Sequence, residues 1–182
     1  METKQDIRKK IFAKRRETTP EEVTAMSHII CETVCSLPEF QQASCIYAYA
    51  DYNKEASTKE LIEKAWEMGK RVAVPKTHGH HMTYYYLETF DQLQPGNFHV
   101  PEPVTGEVAE EEDALLIVPG VAFDPNRHRV GYGAGFYDRY LSVHTKHPTV
   151  AIAFEFQIVP EAPAEETDIF PTKVITEKRT IE

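Results

Sequence analysis

The stretch that decides the fold reads Ala114-Leu-Leu-Ile-Val-Pro-Gly-Val-Ala-Phe-Asp124, followed shortly by Arg129-Val-Gly-Tyr-Gly-Ala-Gly-Phe-Tyr-Asp-Arg139. The apolar run Ala114–Val118, stopped by Pro119-Gly120, has the length and composition of a strand buried on both faces. Glycines then recur at alternate positions, Gly131, Gly133 and Gly135, and Tyr137, Tyr140 and Leu141 give a following helix something to pack with. In an open α/β sheet, ligands gather at the carboxyl ends of strands. Glycines there let backbone N–H groups approach phosphate oxygens, and the next helix N-terminus adds a favourable dipole. The pattern is neither common nucleotide fingerprint: Phe136 stands where a P-loop needs lysine and the dinucleotide motif needs glycine. The flanks carry chemistry of their own. Arg129 offers a bidentate fork for phosphate, and Asp138 a hard oxygen suited to Mg²⁺.

Working outward, Ile7 and Ile11 with Phe12 beside them predict a helix from Thr3 to about Glu17, with Lys4 and Arg8 on one face. Thr19, Pro20 and Glu22 form a capping box that opens a second helix, whose apolar stripe is Val23, Met26, Ile30 and Val34. Cys45–Ala50 reads as a buried strand and Asp51–Ala56 as a polar loop. Ser57 with Glu60 opens another helix, running through Leu61, Ala65 and Met68 to Gly69. Arg71–Pro75, Met82–Leu87, Thr149–Phe154 and Lys173–Thr176 read as further strands, and Gly96–Asp113, ending in the acidic cluster Glu110–Asp113, as a solvated loop. The alternation predicts one α/β domain over 1–182, a mostly parallel sheet with helices on both faces.

Composition sets bounds on function. Apolar residues make up 41% and charged residues 27% of the 182, an ordinary globular balance. The net charge of −9 argues against broad nucleic-acid binding, and the apolar runs are too short to cross a bilayer. The first residues lack a secretory pattern, and Glu2 and Asp6 argue against a transit peptide. Cys31, Cys35 and Cys45 read as buried reduced thiols, so a cytoplasmic, reducing setting is expected. Residues 1–16 hold Lys4, Arg8, Lys9, Lys10, Lys14, Arg15 and Arg16 against Glu2 and Asp6, which fits either a solvated basic face or a patch for an anionic substrate. His78, His80 and His81 crowd one loop without an acidic or cysteine partner and are not read as a metal site.

Taken together, these motifs resemble the 5-formyltetrahydrofolate cyclo-ligases, also called methenyltetrahydrofolate synthetases. Pro119–Asp124 and Arg129–Arg139 carry most of the resemblance. Lys4 with Arg8, Glu55 with Thr58, Glu102-Pro103, and Thr167-Asp168 ahead of Val174-Ile-Thr-Glu177 support it. Arg127 departs from the glycine many members carry in this turn, and Thr167 from the histidine that often precedes the aspartate. The resemblance implies a fold similar to that of sugar-phosphate isomerases and CoA transferases. It also implies ATP- and Mg²⁺-dependent cyclisation of 5-formyltetrahydrofolate to 5,10-methenyltetrahydrofolate, with release of ADP and phosphate. A non-catalytic nucleotide- or folate-binding relative and a sugar-phosphate isomerase are the competing readings.

By the same resemblance, Lys4, Arg8 and Arg129 are the catalytic cations. ATP contacts fall on Lys4, Gln5, Asp6, Ile7 and Arg8, and on Arg129, Val130, Gly131, Tyr132, Gly133, Ala134, Gly135, Phe136 and Tyr137. Folate contacts fall on Ala50, Glu55 and Tyr132 to Phe136, with the Glu55 carboxylate pairing the pterin's amino and ring N–H donors. Asp138 and Asp168 hold Mg²⁺. The expected partners are ATP and a reduced folate, without nucleic acid or membrane, and the chain is expected to act as a monomer. Deleting residues 1–9 is expected to raise the ATP requirement and leave the fold largely intact.

Overall fold

The computed structural model describes residues 1–182. Its strands are β1 (Cys45–Tyr47), β2 (Arg71–His78), β3 (His81–Tyr86), β4 (Leu93–Pro95), β5 (Pro101–Pro103), β6 (Leu115–Val118), β7 (Ala122–Phe123), β8 (Arg129–Val130), β9 (Thr149–Ile152), β10 (Lys173–Ile175) and β11 (Thr180–Ile181). Its helices are α1 (Lys4–Glu17), α2 (Pro20–Ser36), α3 (Pro38–Gln42), α4 (Lys59–Glu67) and α5 (Phe136–Val143). Across the main sheet the strands lie in the order β11-β10-β9-β6-β1-β2-β3. Neighbours from β10 to β2 pair in parallel; β11 and β3 close the two edges antiparallel.

The sheet is mostly parallel, as the alternation of strands and helices requires. From β1 the chain lays β2 and β3 to one side, then returns to lay β6, β9 and β10 on the other. The winding therefore reverses between β1 and β6, and the loops leaving these strands diverge to open a crevice at their carboxyl ends. Alternate side chains face opposite ways along each strand. Ile46, Val72, Leu115, Ile117 and Val150 pack with Ile30 and Val34 of α2 and Leu61 and Ile62 of α4. Tyr47, Ala73, Leu116, Val118 and Ala151 turn to the other face, where Leu141 of α5 covers them. A third, smaller core joins Ile7 and Ile11 of α1 to Val121, Ala122 and Val130 of the β7–β8 hairpin. No helix is long and apolar enough to cross a membrane.

The capping box at Thr19 and Glu22 forms, and α1 carries a second one, in which Thr3 and Asp6 satisfy each other's backbone N–H groups. Three expectations need correction. The Ser57–Glu60 box does not form: α4 starts at Lys59, Asp51 Oδ1 accepts from Thr58 N at 3.0 Å and Ser57 Oγ at 3.1 Å, and Glu60 accepts from His28 instead. The backbone N–H that Glu60 would accept in that box, Ser57 N, donates to Ser27 Oγ of α2 at 2.9 Å. Strand β2 continues past Pro75 to His78, so the histidines sit at a hairpin tip, with His78 paired to His81.

The stretch Gly96–Asp113 is only partly a solvated loop. It contains β5, paired to β4, and buries Glu102 and Ala109. Prolines at the ends of these strands mask the pattern, although a short hairpin tolerates them. The turn at Arg127 keeps the left-handed backbone of a glycine, φ 68°, and its side chain is tied down by a bond from Nε to Pro171 O at 3.0 Å.

Candidate active site

The crevice between β1 and β6 opens into a cavity of about 1110 Å³. Its wall draws on α1, the loop after β1, the β4–β5 hairpin, the glycine turn and the loop 164–169. The turn depends on glycine twice: Gly133 has φ 108° and Gly135, the residue before α5, has φ 72°, both in the region that L side chains rarely adopt. The turn thus enters α5 with its backbone facing the cavity.

One end of the cavity is cationic. Arg129 is buried, and its Nε donates to Pro119 O at 2.6 Å, fixing the guanidinium at the end of β6. Its planar group lies 5.2 Å from the ring centroid of Tyr137, and its Nη1 is 4.0 Å from Asp138 Oδ2. Burial lowers the pKa of Arg129, while Asp138 works in the opposite direction. Arg8 reaches over from α1 and donates from Nε to Gly131 O at 2.7 Å, leaving the rest of its fork along the turn. Lys4, one helical turn before Arg8, donates to Asp168 Oδ2 at 3.1 Å.

Asp138 and Asp168 meet at this end from different elements. Asp138 is in the first turn of α5, yet its carboxylate does not cap that helix. Its Oδ1 accepts instead from Ile169 N at 3.0 Å, which draws the loop 164–169 against the turn. Asp168 Oδ2 accepts from Glu165 N at 2.9 Å as well as from Lys4. Two hard carboxylates are the kind of oxygen ligand Mg²⁺ takes, and the nearby cations suit phosphate. No group of three or more His, Cys, Asp or Glu side chains is placed to hold a metal.

The other end holds Glu55. Its loop is pinned by a bond from Tyr49 Oη to Ala56 O and by Asp51, and it accepts left-handed backbone at Asn53 and Lys54. Glu55 Oε1 accepts from Tyr52 N at 2.9 Å and Oε2 from Tyr132 Oη at 3.0 Å. Burial pushes the Glu55 carboxyl up to about 7, against the pull of Arg15 and of these two hydrogen bonds. Glu102, largely buried on the facing wall, accepts from Thr77 N at 3.2 Å and Thr77 Oγ1 at 2.9 Å.

The cavity wall therefore gathers Lys4, Arg8, Ala50, Glu55, Arg129, Gly131 to Tyr137, Asp138 and Asp168. Gln5, Asp6, Ile7 and Val130 are not part of it. Asp6 uses its carboxylate on the α1 cap, while Ile7 and Val130 are core residues at 1% and 0% exposure. Ile7 also bears on the expectation that deleting residues 1–9 leaves the fold largely intact, since their loss would uncover part of the third core. Sequence reasoning passed over Arg15, which is 2% exposed and bonded to Tyr132. A signal was present: Arg15 follows Arg8 by seven residues, two helical turns along the same face.

Residues 1–177 match the family model described as the 5-formyltetrahydrofolate cyclo-ligase family. The chain belongs to that family. It is accordingly an enzyme, a ligase of folate and one-carbon metabolism. The Escherichia coli K12 5-formyltetrahydrofolate cyclo-ligase is 31% identical over 94% of this chain and 99% of its own length. A probable 5-formyltetrahydrofolate cyclo-ligase of Caenorhabditis elegans is 29% identical over 99% and 95%. Among solved structures, the Aquifex aeolicus 5,10-methenyltetrahydrofolate synthetase aligns with a TM-score of 0.84 and 32% identity, covering 97% of this chain and 91% of that one. These relatives cover 94% to 99% of this chain.

Proposed function

We propose that this enzyme cyclises 5-formyltetrahydrofolate to 5,10-methenyltetrahydrofolate at the expense of ATP, releasing ADP and phosphate. One observation carries the reading: the same tight turn touches both ends of the cavity. Gly131 O accepts from Arg8 at the cationic end, while the next residue, Tyr132, donates to Glu55 at the other. A phosphate held by Arg8, Arg129 and the turn would thus lie beside whatever Glu55 holds. The cavity volume of about 1110 Å³ exceeds the roughly 300–1,000 Å³ of a single small-molecule site, which supports two substrates side by side.

The chemistry explains why ATP is needed. A formamide carbon is a weak electrophile, and its oxygen is a poor leaving group. In the proposed reaction the formyl oxygen attacks the γ-phosphorus and the bond to ADP breaks. The side-arm nitrogen then adds to the activated formyl carbon and closes the ring. Phosphate departs with the former formyl oxygen, and the nitrogen's proton passes to solvent. Positioning and charge neutralisation do most of the work in such a transfer. Arg129 and Arg8 would offset charge on the transferring phosphoryl group, and Lys4 the outer phosphates. Glu55 would orient the pterin, with Tyr132 and Phe136 as aromatic faces beside it. Mg²⁺ brought by ATP would add charge neutralisation to the phosphates, with Asp138 and Asp168 as its protein oxygens.

The parallel centre with helices on both faces supports the kinship with sugar-phosphate isomerases and CoA transferases. The test is direct. Incubation with 5-formyltetrahydrofolate and Mg-ATP should generate the methenyl chromophore, dependent on both substrates. A non-catalytic relative would bind either ligand without product, and an isomerase would leave ATP untouched.

A further inference from the structure

Helix α1 carries a third cation that contact with the cavity does not explain. Arg15 is 2% exposed, and a guanidinium in such a place is costly unless its donors are used. Its Nη1 donates to Tyr132 Oη at 2.7 Å and its Nη2 to Gly120 O at 3.4 Å, while Nε is buried without a partner. The guanidinium carbon lies 5.6 Å from the ring centroids of both Phe12 and Tyr132, two rings that stack on each other at 6.1 Å. Tyr132 is therefore held by its ring and by its oxygen. Arginine can only donate, so it occupies a lone pair of the phenol and leaves the phenol's own proton for Glu55 Oε2, 3.0 Å away.

The geometry points to Arg15 as the positioning residue of the folate end, fixing the Tyr132 hydroxyl proton on Glu55 and keeping that carboxylate ionised for its ligand. The inference rests on the reading of Glu55 as the pterin partner. Glu55 is faced by Arg15 from α1, Tyr132 from the glycine turn, Tyr49 and Asp51 from its own loop, and Tyr137 from α5. Burial and Asp51 favour the neutral acid; Arg15 and the Tyr132 hydrogen bond favour the carboxylate. Removing Arg15 takes away a positive charge and frees the hydroxyl to turn elsewhere.

The experiment is calorimetric binding of 5-formyltetrahydrofolate, without ATP, at a series of pH values on either side of neutrality. It compares wild type, Arg15→Met, Arg15→Lys, Tyr132→Phe and the Arg15→Met/Tyr132→Phe double variant, each checked for its thermal midpoint. Methionine keeps volume in the buried site, and lysine keeps the charge without the fork. Wild-type affinity should fall as pH drops through about 7, the Glu55 value. In Arg15→Met the fall should move up by about one pH unit, a loss of about fivefold at neutrality that approaches about tenfold toward acid. Lysine should recover part of the shift, and Arg15→Met should add little on top of Tyr132→Phe. Superimposed pH curves, or losses that multiply in the double variant, overturn the role of Arg15. A folded wild type that binds no folate overturns the folate reading itself, and this inference with it.

Discussion

Lys4 Nζ and Asp168 Oδ2 lie 3.1 Å apart, closing the cationic end of the site with residues 164 positions apart in sequence. Both are mostly buried, at 24% and 17% side-chain exposure, and Glu165 approaches Lys4 at 3.5 Å. The pair brings the start of α1 against the loop 164–169, beside Asp138. If nucleotide and its cation enter here, Lys4 and Asp168 must exchange each other for phosphate and metal.

That exchange predicts separate costs for folding and for ATP. Lys4→Met should change stability by only about 1 kcal/mol, the scale of a partly exposed pair, while raising the KM for ATP roughly tenfold as a phosphate contact is lost. The KM for the folate should stay within about twofold in the same variant, because the lost contact is to phosphate alone. Equal rises for both substrates would assign Lys4 a structural role.

Glu55 predicts a stability gain from damage to the site. Its carboxyl rises from 4.5 in the unfolded chain to about 7 in the folded one. The folded state therefore holds the proton more tightly, so the stabilisation from protonated Glu55 is full below pH 4.5 and lost as pH rises through about 7. Above that range the ionised, buried carboxylate costs about 3 kcal/mol by linkage. Glu55→Gln, which cannot ionise, should be more stable than wild type in alkaline buffer by up to that amount, with the gain shrinking toward acid. Denaturant titrations at the two extremes check it. The same variant should weaken folate binding about ten- to a hundredfold and leave ATP affinity nearly unchanged.

Much of this arrangement is legible in the chain itself. Strand β6 is legible as an apolar run stopped by Pro119-Gly120, while the alternate glycines alone fit any tight turn and gain meaning from Arg129 and Asp138 beside them. That Lys4 and Arg8 share a face follows from helical spacing, whereas their place at the site comes from the family resemblance. Arg15 is harder to see, because a cation on a basic helix is ordinarily solvated; only the fold brings Tyr132, 117 residues away, to its donor. Ser27 of α2, which takes the Ser57 N–H from 30 residues away, likewise displaces the cap that local pattern assigns to Ser57 and Glu60. Asp6 reads as a ligand in the family motif, while the local chemistry of Thr3 claims it for the helix start.

Arg129 predicts that charge alone does not suffice. Arg129→Lys loses the Nε bond to Pro119 O, the stacking over Tyr137 and the fork itself. Turnover per ATP bound should drop about ten- to a hundredfold although the positive charge remains. Activity within twofold of wild type would show that a point charge is enough.

Asp138 separates a metal role from a helix-start role. Asparagine could still accept from Ile169 N, so the 164–169 loop should stay in place and the thermal midpoint should move little. Loss of the charge should weaken the hold on a hard cation. Asp138→Asn should therefore turn over poorly at low Mg²⁺ and recover in part as Mg²⁺ is raised. Mg²⁺ titrations that superimpose with those of wild type would make Asp138 a loop anchor only.

If ATP activates the formyl oxygen, the fate of that atom reveals it. 5-Formyltetrahydrofolate labelled with ¹⁸O in the formyl group, turned over with unlabelled Mg-ATP, should deliver the label to inorganic phosphate, one atom for each methenyl product formed. Label found in water, with none in phosphate, would rule out phosphorylation of the formyl oxygen.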